Sequence, residues 1–138
     1  MAIFPDLVWF LKLKEKLNSD AQYAKIAHNW EWDLLFNIEA DDLLNNSLYV
    51  YMDLWHGTCR EVKIIEDISS SKATFTLSAP YRNYIALLSG KLDPMQAMLT
   101  RKLRVQGNMT IMMRNVPTVL DFVRCCREIT DGFVGVES

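Results

Sequence analysis

Cysteine, histidine, glycine and proline are all scarce in this sequence, and each shortage closes off a class of protein. The chain has three cysteines and two histidines in 138 residues, too few for a fold stapled by disulfides. Cys125 and Cys126 are adjacent, and neighbouring Cα atoms are only ~3.8 Å apart, short of ordinary disulfide geometry. The same pair falls in mid-helix rather than at a helix N-terminus, so both thiols read as buried structural groups, not nucleophiles. His56 and Cys59 resemble half of a zinc site, but a structural site needs four ligands and the only other histidine is His28. No metal and no cofactor are therefore expected. Five glycines and four prolines leave no linker or low-complexity segment, and Gly107 has neither dinucleotide nor P-loop context. Positive charge is not in excess: the net charge is −2, which argues against nucleic acid as a partner. No apolar run approaches the ~20 residues of a membrane span. Asp6 and the lack of a basic segment before Leu7–Leu11 argue against a secretory signal, so a reducing cytoplasm is the expected location.

Half of the residues are hydrophobic and 23% are charged, the composition of an ordinary globular protein. One domain spanning 1–138 is expected, large enough to bury roughly two-thirds of its unfolded surface. The first segments are helical. Leu7, Phe10, Leu11 and Leu17 recur near helical spacing, and Asn18-Ser19-Asp20 both stops that helix and caps a second from Ala21 to about Asn29. From Asp33 the period changes to alternation: Leu34, Phe36 and Ile38 face one way. Leu48, Val50, Met52 and Leu54 share a face of the next strand, with Tyr49, Tyr51 and Trp55 opposite. His56-Gly57 turns the chain, Cys59–Asp67 returns, and Phe75, Leu77 and Ala79 alternate with polar residues in a fourth strand. Four strands at hairpin spacing predict an antiparallel meander. Pro80 opens a helix through Leu88, and Val116–Ile129 forms the last long helix, with Val119, Leu120, Phe122, Val123 and Cys126 on its apolar stripe. Thr130–Ser138 is expected to be loosely held.

Between these helices lies the segment 87–114, which holds five of the seven methionines. Gly90 ends one helix, and Asp93-Pro94 is a favoured start for a short new one bearing Met95, Met98 and Leu99. Leu103 and Val105 alternate with Lys102, Arg104 and Gln106 as a short fifth strand. Gly107-Asn108 then turns into a helix with Met109, Met112 and Met113. Methionine at helical spacing is either plain core or an adaptable lining, and periodicity does not choose between them.

The ordered set Gly90-Lys91-Leu92-Asp93-Pro94, an apolar helix, then Lys102-Leu103-Arg104-Val105-Gln106-Gly107-Asn108-Met109 resembles the sterol carrier protein type 2 family of lipid-binding domains. That resemblance implies an α+β fold in which an antiparallel sheet of about five strands, with helices on one face, encloses a hydrophobic cavity. It also implies a ligand-lining role for Phe75, Leu77, Met95, Met98, Leu99, Leu103, Met109, Met112, Met113 and Phe122, and an apolar lipid or acyl chain as ligand. Transient contact with a membrane surface and a homodimer are both compatible with it.

The remaining candidates read as structure. Asp41-Asp42 sits in a polar turn, where Asp bonds locally. Trp30 is expected to pack at the helix–sheet junction, whereas Trp32 and Trp55 fit either packing or a pocket rim. Lys91, Arg101, Lys102 and Arg104 read as a solvated face. No paired acid and base, metal set or activated nucleophile stands out, so the expected function is non-catalytic lipid binding, with or without transfer. The alternative is an interaction or accessory module of an enzyme system, using Tyr49, Tyr51 and Trp55 as its contact surface.

Overall fold

The computed structural model describes residues 1–70 and 72–137. Its elements in chain order are β1 (Ile3–Phe4), α1 (Leu7–Ser19), α2 (Ala21–Ile26), β2 (Leu34–Glu39), β3 (Leu48–Trp55), β4 (Thr58–Ile65), β5 (Phe75–Pro80), α3 (Tyr81–Leu88), α4 (Pro94–Leu99), β6 (Arg104–Gln106), α5 (Met109–Arg114), α6 (Val116–Ile129) and β7 (Gly132–Phe133). Asp20 begins α2 by accepting the Tyr23 N–H, Asp93 begins α4 by accepting that of Gln96, and Asn108 begins α5 through Thr110 and Ile111. Each satisfies helix N–H groups that would otherwise lack a partner.

Five strands form one sheet in the order β4-β3-β2-β5-β6. The meander holds from β2 to β4: Phe36 stands opposite Val50, and Met52 opposite Val62. His56 and Gly57 both have positive φ, at 48° and 81°, the two-residue hairpin turn whose twist matches the strands. A Cβ on Gly57 would also come within 2.7 Å of the Ala24 carbonyl oxygen, so α2 and the hairpin can approach only through glycine.

The fourth strand departs from the meander. β5 lies against β2 and runs parallel to it, with Leu34 opposite Phe75 and Ile38 opposite Ala79. The edge that a simple hairpin would have used is engaged at Cys59, whose N–H and carbonyl both bond the Asn18 side chain. Thr74 and Phe75 lie at the start of β2. There Asp33 accepts the Thr74 N–H and the Tyr51 hydroxyl, and the Asp33 carbonyl accepts the Phe75 N–H. β6 pairs antiparallel on the far edge.

The inner face of the sheet is apolar through Leu34, Phe36, Ile38, Val50, Met52 and Leu54, all buried. On α1 the buried face is Trp9, Phe10, Leu13 and Leu17, while Leu7 and Leu11 are 48% exposed. The apolar period holds, but the face points about a third of a turn from where Leu7 and Leu11 would put it. The C-terminal segment is tied down as far as Val136, contrary to a loose tail. β7 pairs with β1, Asp131 bonds Ala2, and the Tyr81 hydroxyl donates to the Val134 carbonyl. Ser138 lies outside the described residues.

Candidate functional site

Between the inner sheet face and the helices lies an apolar cavity of about 100 Å³. Phe36 and Leu77 contribute from the sheet; Trp9, Phe10 and Leu13 from α1; Tyr84, Leu87 and Leu88 from α3. Pro94 and Met98 of α4, Leu103, Met112 of α5, and Val119, Phe122, Val123 and Cys126 of α6 complete most of the wall.

Four polar groups of this wall are engaged with other protein groups. The Tyr84 hydroxyl donates to the Leu77 carbonyl at 2.7 Å, and the Trp9 indole N–H to Thr130 Oγ1 at 2.9 Å. The Trp30 indole N–H donates to the Trp32 carbonyl, and the Thr118 hydroxyl to that of Ile26. Burial raises the titration of Tyr23, Tyr84 and the Cys126 thiol above their ordinary values. All three are therefore neutral at physiological pH, and among the described residues no Asp, Glu, Lys, Arg or His lines the cavity. Such a wall can desolvate an apolar molecule but has no group placed to activate water or a nucleophile.

Of the ten residues expected to line a cavity, the fold brings five into this wall: Leu77, Met98, Leu103, Met112 and Phe122. Phe75 is fully buried but lies off the cavity, beneath the Trp30 ring at 5.9 Å and against Gly107, where a Cβ would sit 2.4 Å from its ring. Leu99 is 72% exposed, Met109 and Met113 are exposed, and Met95 is half-buried outside the wall. The cavity also takes Phe4, Trp9, Tyr84 and Leu87, none of them among the ten expected residues. A sequence signal existed for Tyr84 and Leu87, which recur at helical spacing in the segment that Pro80 opens.

The other candidates fall outside the cavity. The His56 ring bonds the His28 carbonyl through Nδ1 at 2.7 Å. Burial pushes the Cys59 and Cys125 thiols up to about 11, and all three cysteines are free. Asp20, Asp121 and Cys125 converge closely enough to suggest a cation site, but the Arg124 guanidinium already lies on both carboxylates, at 2.7 and 2.8 Å. Asp41 and Asp42 pair with Arg82. On the outer sheet face Tyr51 lies beneath Lys63 and Trp55 beneath Arg60.

Comparison with known proteins agrees with this fold. No curated protein matches the sequence. The solution structure of a conserved hypothetical protein from Thermus thermophilus superimposes with a TM-score of 0.81 at 27% identity, over 92% of this chain and 90% of that one. A crystal structure of sterol carrier protein 2 gives 0.78 at 27% identity, over 88% and 95%. The fold is also similar to part of an inverting sec-alkylsulfatase from a Pseudomonas species, with a TM-score of 0.56 at 17% identity over 89% of this chain and 16% of that one. The sequence profile described as the SCP-2 sterol transfer family matches residues 10–119, which takes in both the methionine segment and the sheet, and the chain belongs to that family.

Proposed function

We propose that this protein holds an apolar lipid, an acyl chain or sterol-like molecule, in the cavity between sheet and helices, and that it does so without chemistry. The observation that carries this reading is the uncharged wall, whose Tyr84 hydroxyl and Trp9 and Trp30 indole groups bond the protein rather than the void. An apolar void of roughly 150 Å³ stays dry and takes up benzene, so the cavity of about 100 Å³ accommodates a fragment of a lipid as it stands. A longer chain requires the methionine side to move, and unbranched, polarizable Met98 and Met112 suit that role. Burial supplies about 0.8 kcal/mol per methylene, and association and ordering costs offset several kcal/mol. Micromolar affinity follows without an ion pair.

The family relationship supports a lipid-binding role, and the two structures at 27% identity match along nearly their whole length. A module serving an enzyme is the second reading, supported by the occurrence of the fold within the alkylsulfatase. The aromatic sheet face favours it little, because Tyr51 and Trp55 are engaged by Asp33, Lys63 and Arg60. The test is native mass spectrometry of protein purified without detergent, followed by organic extraction. A bound mass that extracts as a lipid, or saturable uptake of a fluorescent acyl probe, is expected. Protein that is empty and takes up no acyl or sterol probe would leave only the second reading.

A further inference from the structure

The seven methionines of the chain differ in what reaches them. Met52 and Met112 are buried, at 0% and 3% exposure, while Met109 and Met113 stand in solvent and outside the cavity wall. Among the described residues, Met98 is the one methionine that lines the cavity and is also only half-buried. It lies in the last turn of α4, a helix of six residues, and its neighbour Leu99 is exposed. A small reagent dissolved in water therefore meets Met98 without crossing the core.

A thioether has a reaction that leucine, which fills a similar volume, lacks. Its sulfur lone pair attacks one oxygen of hydrogen peroxide; the O–O bond breaks and an S–O bond forms. The departing oxygen takes the proton left on the first and leaves as water. Sulfur is oxidised by two electrons, the peroxide is reduced, and the product is a sulfoxide, polar where the thioether was apolar. The wall has no partner for that new oxygen. The donors of Trp9, Trp30, Tyr84 and Thr118 are already engaged by protein acceptors, and no charged side chain among the described residues lines the void. A buried acceptor without a donor is costly, so the oxygen turns to water and draws its part of the wall with it. Short helices such as α4 have little cooperativity with which to resist.

We propose that Met98 is a peroxide-sensitive modification site: its sulfoxide opens the methionine side of the cavity and releases the ligand, and methionine sulfoxide reductases restore the closed wall. Met109 and Met113 are oxidised as well, without consequence for the cavity. The inference rests on the lipid-carrier reading for the ligand that is released, but not for the oxidation or the opening of the wall.

The test exposes the native protein to hydrogen peroxide over a time course. Peptide mass spectrometry follows each methionine, a fluorescent acyl probe reads the cavity, and the denaturation midpoint reads the wall. Met109 and Met113 should convert first, Met98 next, and Met52 and Met112 last. Probe affinity should fall about 10-fold in step with Met98 rather than with Met109 and Met113, and the midpoint should fall with it. Reduction of both sulfoxide epimers should restore both readings. Met98→Leu, compared with its own untreated sample, should not respond to peroxide, whereas Met109→Leu with Met113→Leu should respond as the wild type does. The inference is overturned if Met98 resists peroxide as long as Met112 does, or if its oxidation moves neither affinity nor midpoint. Equal losses in Met98→Leu and the wild type would also overturn it. A midpoint that falls with Met98 oxidation in protein that binds no probe would keep the modification site and reject the carrier reading.

Discussion

On one side of the cavity the Phe4 ring meets five other aromatic rings, those of Trp9, Phe10, Tyr81, Tyr84 and Phe133, at centroid distances of 4.8 to 6.4 Å. On the other side the wall is Met98 of α4, Leu103 just before β6, and Met112 of α5. Neither α4 nor α5 contains an aromatic residue, and each is only six residues long. Rings interlock at fixed angles and lose little rotamer freedom, whereas methionine adapts and short helices gain little cooperativity of their own. One wall is built to keep its shape and the other to yield. The aromatic side is also crossed by chain ends: β1 and β7 pair there, and the Tyr81 hydroxyl bonds the carbonyls of both Phe4 and Val134.

The largest effect should come from the stiff side. Phe4→Ala removes the ring shared by all five neighbours and should cost about 3–5 kcal/mol in chemical denaturation. A cost near 1 kcal/mol would show that the aromatic corner is not the rigid element.

A smaller effect should come from the clasp that holds the α1–α2 turn to α6. Arg124 bonds Asp20, Asp121 and Glu128, Lys16 bonds Asp20 and Glu128, and Gln22 bonds Asp121. The Arg124 guanidinium, then the Tyr23 N–H and Lys16, hold the Asp20 carboxyl well below the usual carboxylate range; Lys16 and Arg124 lower Glu128 as well. A depressed carboxylate stabilises the fold above its unfolded value, near 4, and that contribution is lost as pH falls through the folded value. Solvent screens the exposed pairs of this network, but Asp121 is buried and would lose its cation. Arg124→Gln should therefore cost about 1–3 kcal/mol at neutral pH, and the difference from wild type should shrink as pH drops below about 4. A difference that is the same at every pH would assign the loss to packing instead.

How much of this was legible in the sequence follows from what each signal encodes. Alternation gave the strands and the inward faces of β2 and β3, because one buried face forces a period of two. The caps at Asp20, Asp93 and Asn108 were legible because capping is local chemistry. The pairing of β5 with β2 was not, since strand order depends on contacts 41 residues apart such as Asn18 with Cys59. The cavity wall was half legible for the same reason. Met98 and Met112 lie on the inward faces of their helices, while Leu99, Met109 and Met113 differ from them only in angle around axes too short for periodicity to fix. Phe75 looks like a wall residue by alternation, yet Gly107 and Trp30 enclose it.

The smallest stability effect, and the sharpest test of the contrast, belongs to Met112. It is buried, 3% exposed, yet it borders the void. In a dense core Met→Ala costs about 2–5 kcal/mol, because packing contacts are lost and a hole is left. Here part of the hole already exists, so Met112→Ala should cost no more than about 1–2 kcal/mol, well below Phe4→Ala. Its affinity for a fluorescent fatty acid should change more than its stability does. Met112→Glu places a charge in the wall, where burying it unpaired is costly. If this side yields, the variant opens to water, folds and fails to take up the probe. If Met112→Ala costs as much as Phe4→Ala and Met112→Glu does not fold, both sides are equally rigid. Denaturation midpoints and probe titrations on the two variants separate these outcomes.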